Sequence, residues 1–256
     1  MSQSVTGNGQ ASPPPFTSYH VFMAVGKDPG SPGGRSVLEG AFTLLDVLNE
    51  VHSAGLSRLA ALSGLPKATA YRLLQQLIEL DVIVKEGLTY RVGPRVFALG
   101  QTWRPDPVLL SAGRGPMQRL VRASGASLGL CVRAHDQIVV AGSAIAAGRE
   151  LVPMHQGMVW PRSTAASKML LAWDQLGEVR RSPLGSAEAE DLRLGGIALD
   201  HETTVPGVFC AAVPVFGPSN SALVAVLCAV MTEPQRLPQM TDALQRASIV
   251  ITRSLS

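Results

Sequence analysis

Six polar residues within ten positions carry the clearest chemistry in this chain: Lys67, Thr69, Tyr71, Arg72, Gln75 and Gln76. Ala70, Leu73, Leu74, Leu77 and Leu80 run through the same stretch at three- and four-residue spacing. On a helix the apolar set forms one face and the polar set another. Lys and Arg bind phosphate or fork onto guanine, and Thr and Gln can read base edges. Tyr71 can stack or bond a phosphate. The only acid there is Glu79. Taken alone, such a face more often does nothing but meet solvent, so its position in the chain decides.

A second group lies far downstream. Asp200, His201 and Cys210 are close in sequence, with His155 upstream. Cys210 with His201 or His155 as base would be a nucleophile. The same side chains could ligate a metal, but no ligand pair three or four residues apart supports that. Cys210 sits in the run Cys-Ala-Ala-Val-Pro, which reads first as a buried strand. Cys131 and Cys228 read as small core residues. Arg149 and Arg162 read as solvated cations, with a contact to a bound anion as the less frequent outcome.

The elements around the first group place it. Residues 1–34 read as a disordered tail, with Pro13-Pro14-Pro15 and a Pro/Gly/Ser cluster at 29–34. Met23 offers a second candidate start. From Ser36, the apolar residues Val37, Leu38, Ala41, Leu44, Leu45 and Leu48 describe a helix face. Gly55 ends it, Ser57 can cap a short second helix, and Ser63-Gly64 ends that one. Pro66 then stands where a first-turn proline is expected, opening the Lys67 helix. Residues 82–84 and 90–92 flank a Glu86-Gly87 turn as a hairpin. This order is the layout of a winged helix-turn-helix. Lys85, Arg91 and Arg95 are then placed to reach a nucleic-acid backbone. One such module reads too few base pairs for genomic specificity, so a dimer on a pseudo-palindromic site is expected.

Residues 96–103 read as a helix and Pro105 and Pro107 as the domain boundary. A new helix is expected to start at 117–123. Beyond it, strands at 128–132, 138–141, 209–215 and 223–230 alternate with helices at 165–173 and 238–255. That is an α+β domain, its sheet covered by helices on one side.

Composition narrows the classes. The 256 residues are 46% hydrophobic and 16% charged, which excludes a disordered chain. The net charge of +3 is too weak for a protein that coats nucleic acid, though not for a compact reader. Residues 35–104 carry net +2 and residues 105–256 net +1. Three widely spaced cysteines imply no disulfide scaffold, so a reducing cytoplasm is the expected setting. The longest apolar run, Ala222 to Met231, suits a strand and is too short to span a membrane.

At this point the residues resemble a known family. Leu65-Pro66-Lys67-Ala68-Thr69-Ala70-Tyr71-Arg72-Leu73-Leu74 resembles the recognition helix of IclR-type transcriptional regulators. Arg91-Val92-Gly93-Pro94-Arg95 is similar to that family's wing exit. The segments 166–172, 196–200 and 207–216 are similar, in order, to its effector-domain signatures. The likeness covers about residues 36–255.

The resemblance implies a winged helix-turn-helix at 35–93, a linker helix at 94–112, and an effector-binding and oligomerisation domain at 113–256. That last domain would be GAF-like, with a curved antiparallel sheet flanked by helices. It implies DNA contacts from Ser57, Lys67, Ala68, Thr69, Tyr71, Arg72, Gln75, Lys85, Arg91 and Arg95. An effector pocket would be lined by Val152, Trp160, Ala165, Ala166, Asp200, Cys210, Cys228 and Val230. The expected partners are an operator duplex, a small carboxylic or aromatic acid, and further copies in a dimer or tetramer. Membrane, metal and cofactor are not expected. The protein would repress or activate transcription and would not be an enzyme. The alternative is a cytoplasmic cysteine-dependent enzyme fused to a DNA- or partner-binding domain. Here Ser167 replaces a family glycine, and Cys228-Ala229-Val230 is less polar than usual, which points to a more apolar ligand or to Arg162 as the anion contact.

Overall fold

The computed structural model describes residues 36–135, 137–146, 151–152, 154–173, 184–218 and 222–255. The expected tail at 1–34 and Arg149 lie outside them. The chain divides into two compact units, one ending at Asp106 and the other beginning at Pro107.

The first unit opens with α1 (Val37–Val51). Ser36 and Glu39 close a capping box: Glu39 N donates to Ser36 Oγ at 3.2 Å and Ser36 N donates to Glu39 Oε2 at 2.7 Å. Two first-turn N–H groups are thereby satisfied. The buried face is Gly40, Leu44, Val47 and Leu48. Val37 and Leu38, expected inside, are exposed, Leu38 by 72%. Gly40 sets this rotation, because a Cβ there would come within 2.9 Å of Leu73 Cδ1.

A short β1 (Ala54–Gly55) leads into α2 (Leu56–Ser63). Its N-cap is Gly55, and Ser57 is the second residue of the helix rather than its cap. Gly64 ends α2 at φ 64°, a left-handed conformation that glycine adopts without steric cost. The helix α3 (Lys67–Glu79) follows with Pro66 as its N-cap, one place earlier than expected. It buries Ala70, Leu73, Leu74 and Leu77. Leu80, expected inside, is the C-cap and is 50% exposed. β2 (Ile83–Glu86) and β3 (Thr89–Val92) form the hairpin, with β1 on its other edge. One core of Leu44, Leu48, Leu59, Leu74, Ile83 and Tyr90 joins all these elements.

The stretch 94–112 is not one linker helix. α4 (Pro94–Gly100) stops after seven residues, and a new helix, α5 (Pro107–Ser124), starts ten residues before the expected 117. Proline is suited to the first turn of a helix, which is why Pro107 opens α5 rather than breaking it. α5 even carries Pro116 inside it. Packing outweighs the breakers: Gly113 lets the helix settle on Leu130, with 3.1 Å from its would-be Cβ, and Gly142 admits Leu110 at 2.9 Å.

The second unit is built on one antiparallel sheet, in the order β6-β5-β4-β9-β8-β7. The strands are β4 (Ser127–Ala134), β5 (Gln137–Ala144), β6 (Val159–Trp160), β7 (Ala198–His201), β8 (Phe209–Phe216) and β9 (Leu223–Met231). Side chains alternate between two cores. One face packs on α5 and α8 (Leu237–Ser254) through Leu109, Met117, Leu237, Leu244 and Ile251. The other packs on α6 (Ala165–Ala172) through Ala165, Ala166, Met169 and Leu170. Helices therefore cover both faces, not one. Both faces being buried explains why β9 reads as an unbroken apolar run. A further helix, α7 (Ser186–Gly195), precedes β7.

Candidate nucleic-acid interface and effector cleft

In the first unit, α3 projects its first two turns outward. Lys67, Ala68, Tyr71, Arg72 and Gln76 are exposed, and Thr69 and Gln75 are half-buried. Lys67 and Arg72 make no side-chain hydrogen bond or ion pair among the described residues. The first turn holds no acid, so the positive end of the helix dipole adds to both charges. Ser57 is exposed in the first turn of α2.

The hairpin arranges its charges differently. Arg91 pairs with Glu86 at 2.5 Å, and Lys85 Nζ lies 5.7 Å from the ring centre of Tyr90. The register explains both, because Lys85 stands opposite Tyr90, and Arg91 is diagonal to Glu86. Both residues remain exposed, with Arg91 engaged by Glu86. Arg95 does not stand free as expected. Its Nη1 donates to the Leu80 carbonyl at 2.8 Å and caps the end of α3. Beside it, a Cβ on Gly93 would sit 2.4 Å from the Asp81 carbonyl. The Gly-Pro-Arg segment thus ties the wing to the recognition helix. Sequence reasoning missed Leu88, which is 87% exposed at the hairpin tip. Its signal was present: an apolar residue after Gly87 in a two-residue turn.

In the second unit, three expected pocket residues stand side by side across neighbouring strands. Asp200 pairs with Cys210, and Cys210 pairs with Val230. With Val152, Trp160, Thr164, Thr204, Val205 and Val208 they line a narrow cleft that encloses only about 20 Å³, so side chains must shift for a ligand to enter. Ala165, Ala166 and Cys228 are fully buried in the core behind it and are absent from its wall. Thr164, Thr204, Val205 and Val208 were not anticipated, although two threonines soon after an Asp are a turn signal.

Asp200 is 5% exposed and fully partnered: Oδ1 accepts from Thr203 N at 2.8 Å and Oδ2 from Thr204 Oγ1 at 2.8 Å. Its carboxylate therefore fixes the 200–204 turn as well as forming part of the wall. Thr164 caps α6, accepting from Ser167 N at 3.2 Å, and Ser167 Oγ donates to the Pro161 carbonyl at 2.7 Å. Ser167 at the family's glycine position thus closes the helix start. Arg162 is half-buried and already engaged.

The structure does not bring together the cysteine and histidine named for the enzyme alternative. His201 is exposed on the opposite face of β7 from Asp200, its ring 6.0 Å from Phe209. It cannot act as a base for Cys210. His155 is exposed in a loop. A hydrogen bond with Cys228, then burial, pushes the Cys210 thiol well above its ordinary 9.0, so no thiolate nucleophile is poised there. Among the described residues, no group of three or more His, Cys, Asp or Glu is arranged to hold a metal. No described helix is long and apolar enough to cross a membrane.

Comparisons with known proteins find similarity to transcriptional regulators along most of the chain. The IclR helix-turn-helix domain model matches residues 37–87. The transcriptional regulator KdgR of Escherichia coli K12 is 28% identical over 208 residues, covering 71% of this chain and 76% of that protein. The regulator XynR of the same organism is 26% identical, covering 85% and 96%. An IclR transcriptional regulator from Silicibacter sp. TM1040 has 26% identity, with a TM-score of 0.58 over 86% of this chain and 96% of its own. An IclR homologue from Microbacterium hydrocarbonoxydans, solved with 4-hydroxybenzoate, shares the fold at 16% identity with a TM-score of 0.63, covering 86% and 99%.

Proposed function

Since the chain belongs to the IclR family of transcriptional regulators, we propose that it switches one operator by binding a small, largely apolar organic acid in the cleft of its second unit. The free, exposed Lys67, Tyr71 and Arg72 on the first two turns of α3 carry the DNA half of this reading. A helix of that kind enters the major groove with its N-terminal residues at the base edges. Ala68, Thr69 and Gln75 are assigned to the same surface, and Ser57, Lys85 and Arg91 to flanking phosphates. Arg95 is reassigned to holding α3 against the wing. Two copies on a pseudo-palindromic site would supply the specificity one module lacks.

For the ligand half, the cleft wall is mostly Val and Trp, which suits a flat or branched apolar body. Thr164 and Thr204 are the uncharged oxygen-bearing side chains of the wall, so the acid head is assigned to them, at the cost of exchanging hydrogen bonds they already make. Asp200 repels a carboxylate, so the head should lie at the α6 end. The fold's appearance with 4-hydroxybenzoate in the Microbacterium relative supports trying that class first. Occupancy must stabilise one DNA-binding state over the other for the acid to switch anything.

Two measurements test this. Lys67→Ala with Arg72→Ala should lower the slope of log K against log salt by about 0.9 for each lost phosphate contact. An unchanged slope refutes the recognition-helix assignment. Thermal-shift titration with aromatic and aliphatic carboxylates should raise Tm for at least one acid, and Trp160→Ala should abolish the shift. A full panel without any shift refutes the acid.

A further inference from the structure

All three cysteines of the chain converge in one core, on three adjacent strands: Cys131 on β4, Cys228 on β9 and Cys210 on β8. Cys131 Sγ and Cys228 Sγ are 4.0 Å apart. Cys228 donates its S–H to the Gly129 carbonyl at 3.3 Å. Position 129 is shaped around that sulfur, since a Cβ there would lie 3.0 Å from Cys228 Sγ and 3.4 Å from Met154 Sδ. Thiols and a thioether therefore crowd one spot in an apolar interior. Cys210, 6% exposed, lines the cleft and stands on β8, the strand paired with the one that carries Cys228.

We propose that Cys131 and Cys228 form a two-coordinate site for a soft cation, with Cu(I) as its best-suited occupant. The spacing favours this over a disulfide. A disulfide needs about 2.05 Å between sulfurs, hence an approach of roughly 2 Å by two side chains held in a sheet. Two metal–thiolate bonds of about 2.3 Å in line span about 4.6 Å, close to the distance already present. Ions that demand three or four ligands find no such set among the described residues. Thiolate and thioether surroundings select Cu(I) among the soft ions, and Met154 adds a third, weak sulfur nearby. Binding exchanges two S–H protons, released to water, for one cation; no oxidation state changes. The site does not depend on the proposed organic acid or on operator binding.

Full-length reduced protein, titrated anaerobically with Cu(I) against a bicinchoninate competitor, should withhold one equivalent per chain. Cys131→Ala and Cys228→Ala should each lose that equivalent while Cys210→Ala keeps it, with circular dichroism melts reporting the fold of each variant. X-ray absorption of the wild-type complex should show two sulfur neighbours, which tests the site even if a variant misfolds. Complete capture of Cu(I) by the competitor, full retention in folded Cys131→Ala and Cys228→Ala, or a nitrogen- or oxygen-dominated shell would overturn the proposal.

Discussion

Arg95 and Gly93 show how a residue's type understates its role. As a lone arginine after the wing, Arg95 reads as a phosphate contact; in the fold it caps α3 through Leu80. Arg95→Ala should cost about 1 kcal/mol in denaturant unfolding, the usual worth of such a bond, with m unchanged. Its loss of DNA affinity should carry no change in salt slope. Gly93→Ala should cost about 3 kcal/mol, because the new methyl meets backbone rather than a yielding side chain. The buried thiols supply a pH prediction. Cys131 and Cys210 are both raised well above 9.0, by a hydrogen bond to Cys228 and then by burial, while Cys228 itself is lowered by the same pairing and opposes part of their effect. The unfolded chain then loses these protons first as pH climbs past about 9, so folding stability falls above that pH. Replacing both by Ala should flatten the decline in Tm between about pH 9 and 10.5; an unchanged decline would place its origin elsewhere.

Among the elements, the hairpin is the most informative. Its cations are held against Glu86 and Tyr90, so they present fixed positions rather than mobile charge. The Arg91–Glu86 pair is solvent-exposed and contributes well under about 1 kcal/mol to stability. Leu88 touches little in the folded unit, so Leu88→Ser should leave Tm within about 1 °C, consistent with surface substitutions of about 0.5 kcal/mol or less. A measurable loss in operator affinity with intact Tm would place the tip on the duplex; equal affinity would clear it. The apolar rhythm of α3 is legible in the sequence because four of its five inward residues are buried. The rhythm of α1 misleads, because Val37 and Leu38 are apolar but face outward while Gly40 faces Leu73.

For the whole molecule, each unit has its own core: one around Leu44, Leu59 and Leu74, the other on the two faces of the six-stranded sheet. A fragment spanning 107–256 should therefore fold and keep the ligand-induced thermal shift while losing DNA binding. If it shows no cooperative melt, the units depend on one another for stability.

The sequence by itself determined the helix-turn-helix and wing, because turn residues, caps and apolar spacing act over a few neighbours. Pro66, Gly64 and Gly87 needed no distant partner to be read, although the turn falls at Gly87-Leu88, one place later than expected. The family resemblance, rather than the residues alone, placed Asp200, Cys210 and Val230 in one pocket. Only the tertiary structure set them in one row, since strand register links positions 20 residues apart. It alone carried α5 through Pro116, because packing against Leu130 and Leu110 outweighs local propensity. It also turned His201 away from Cys210, because alternate residues of a strand face opposite sides, and brought three scattered cysteines into a single core.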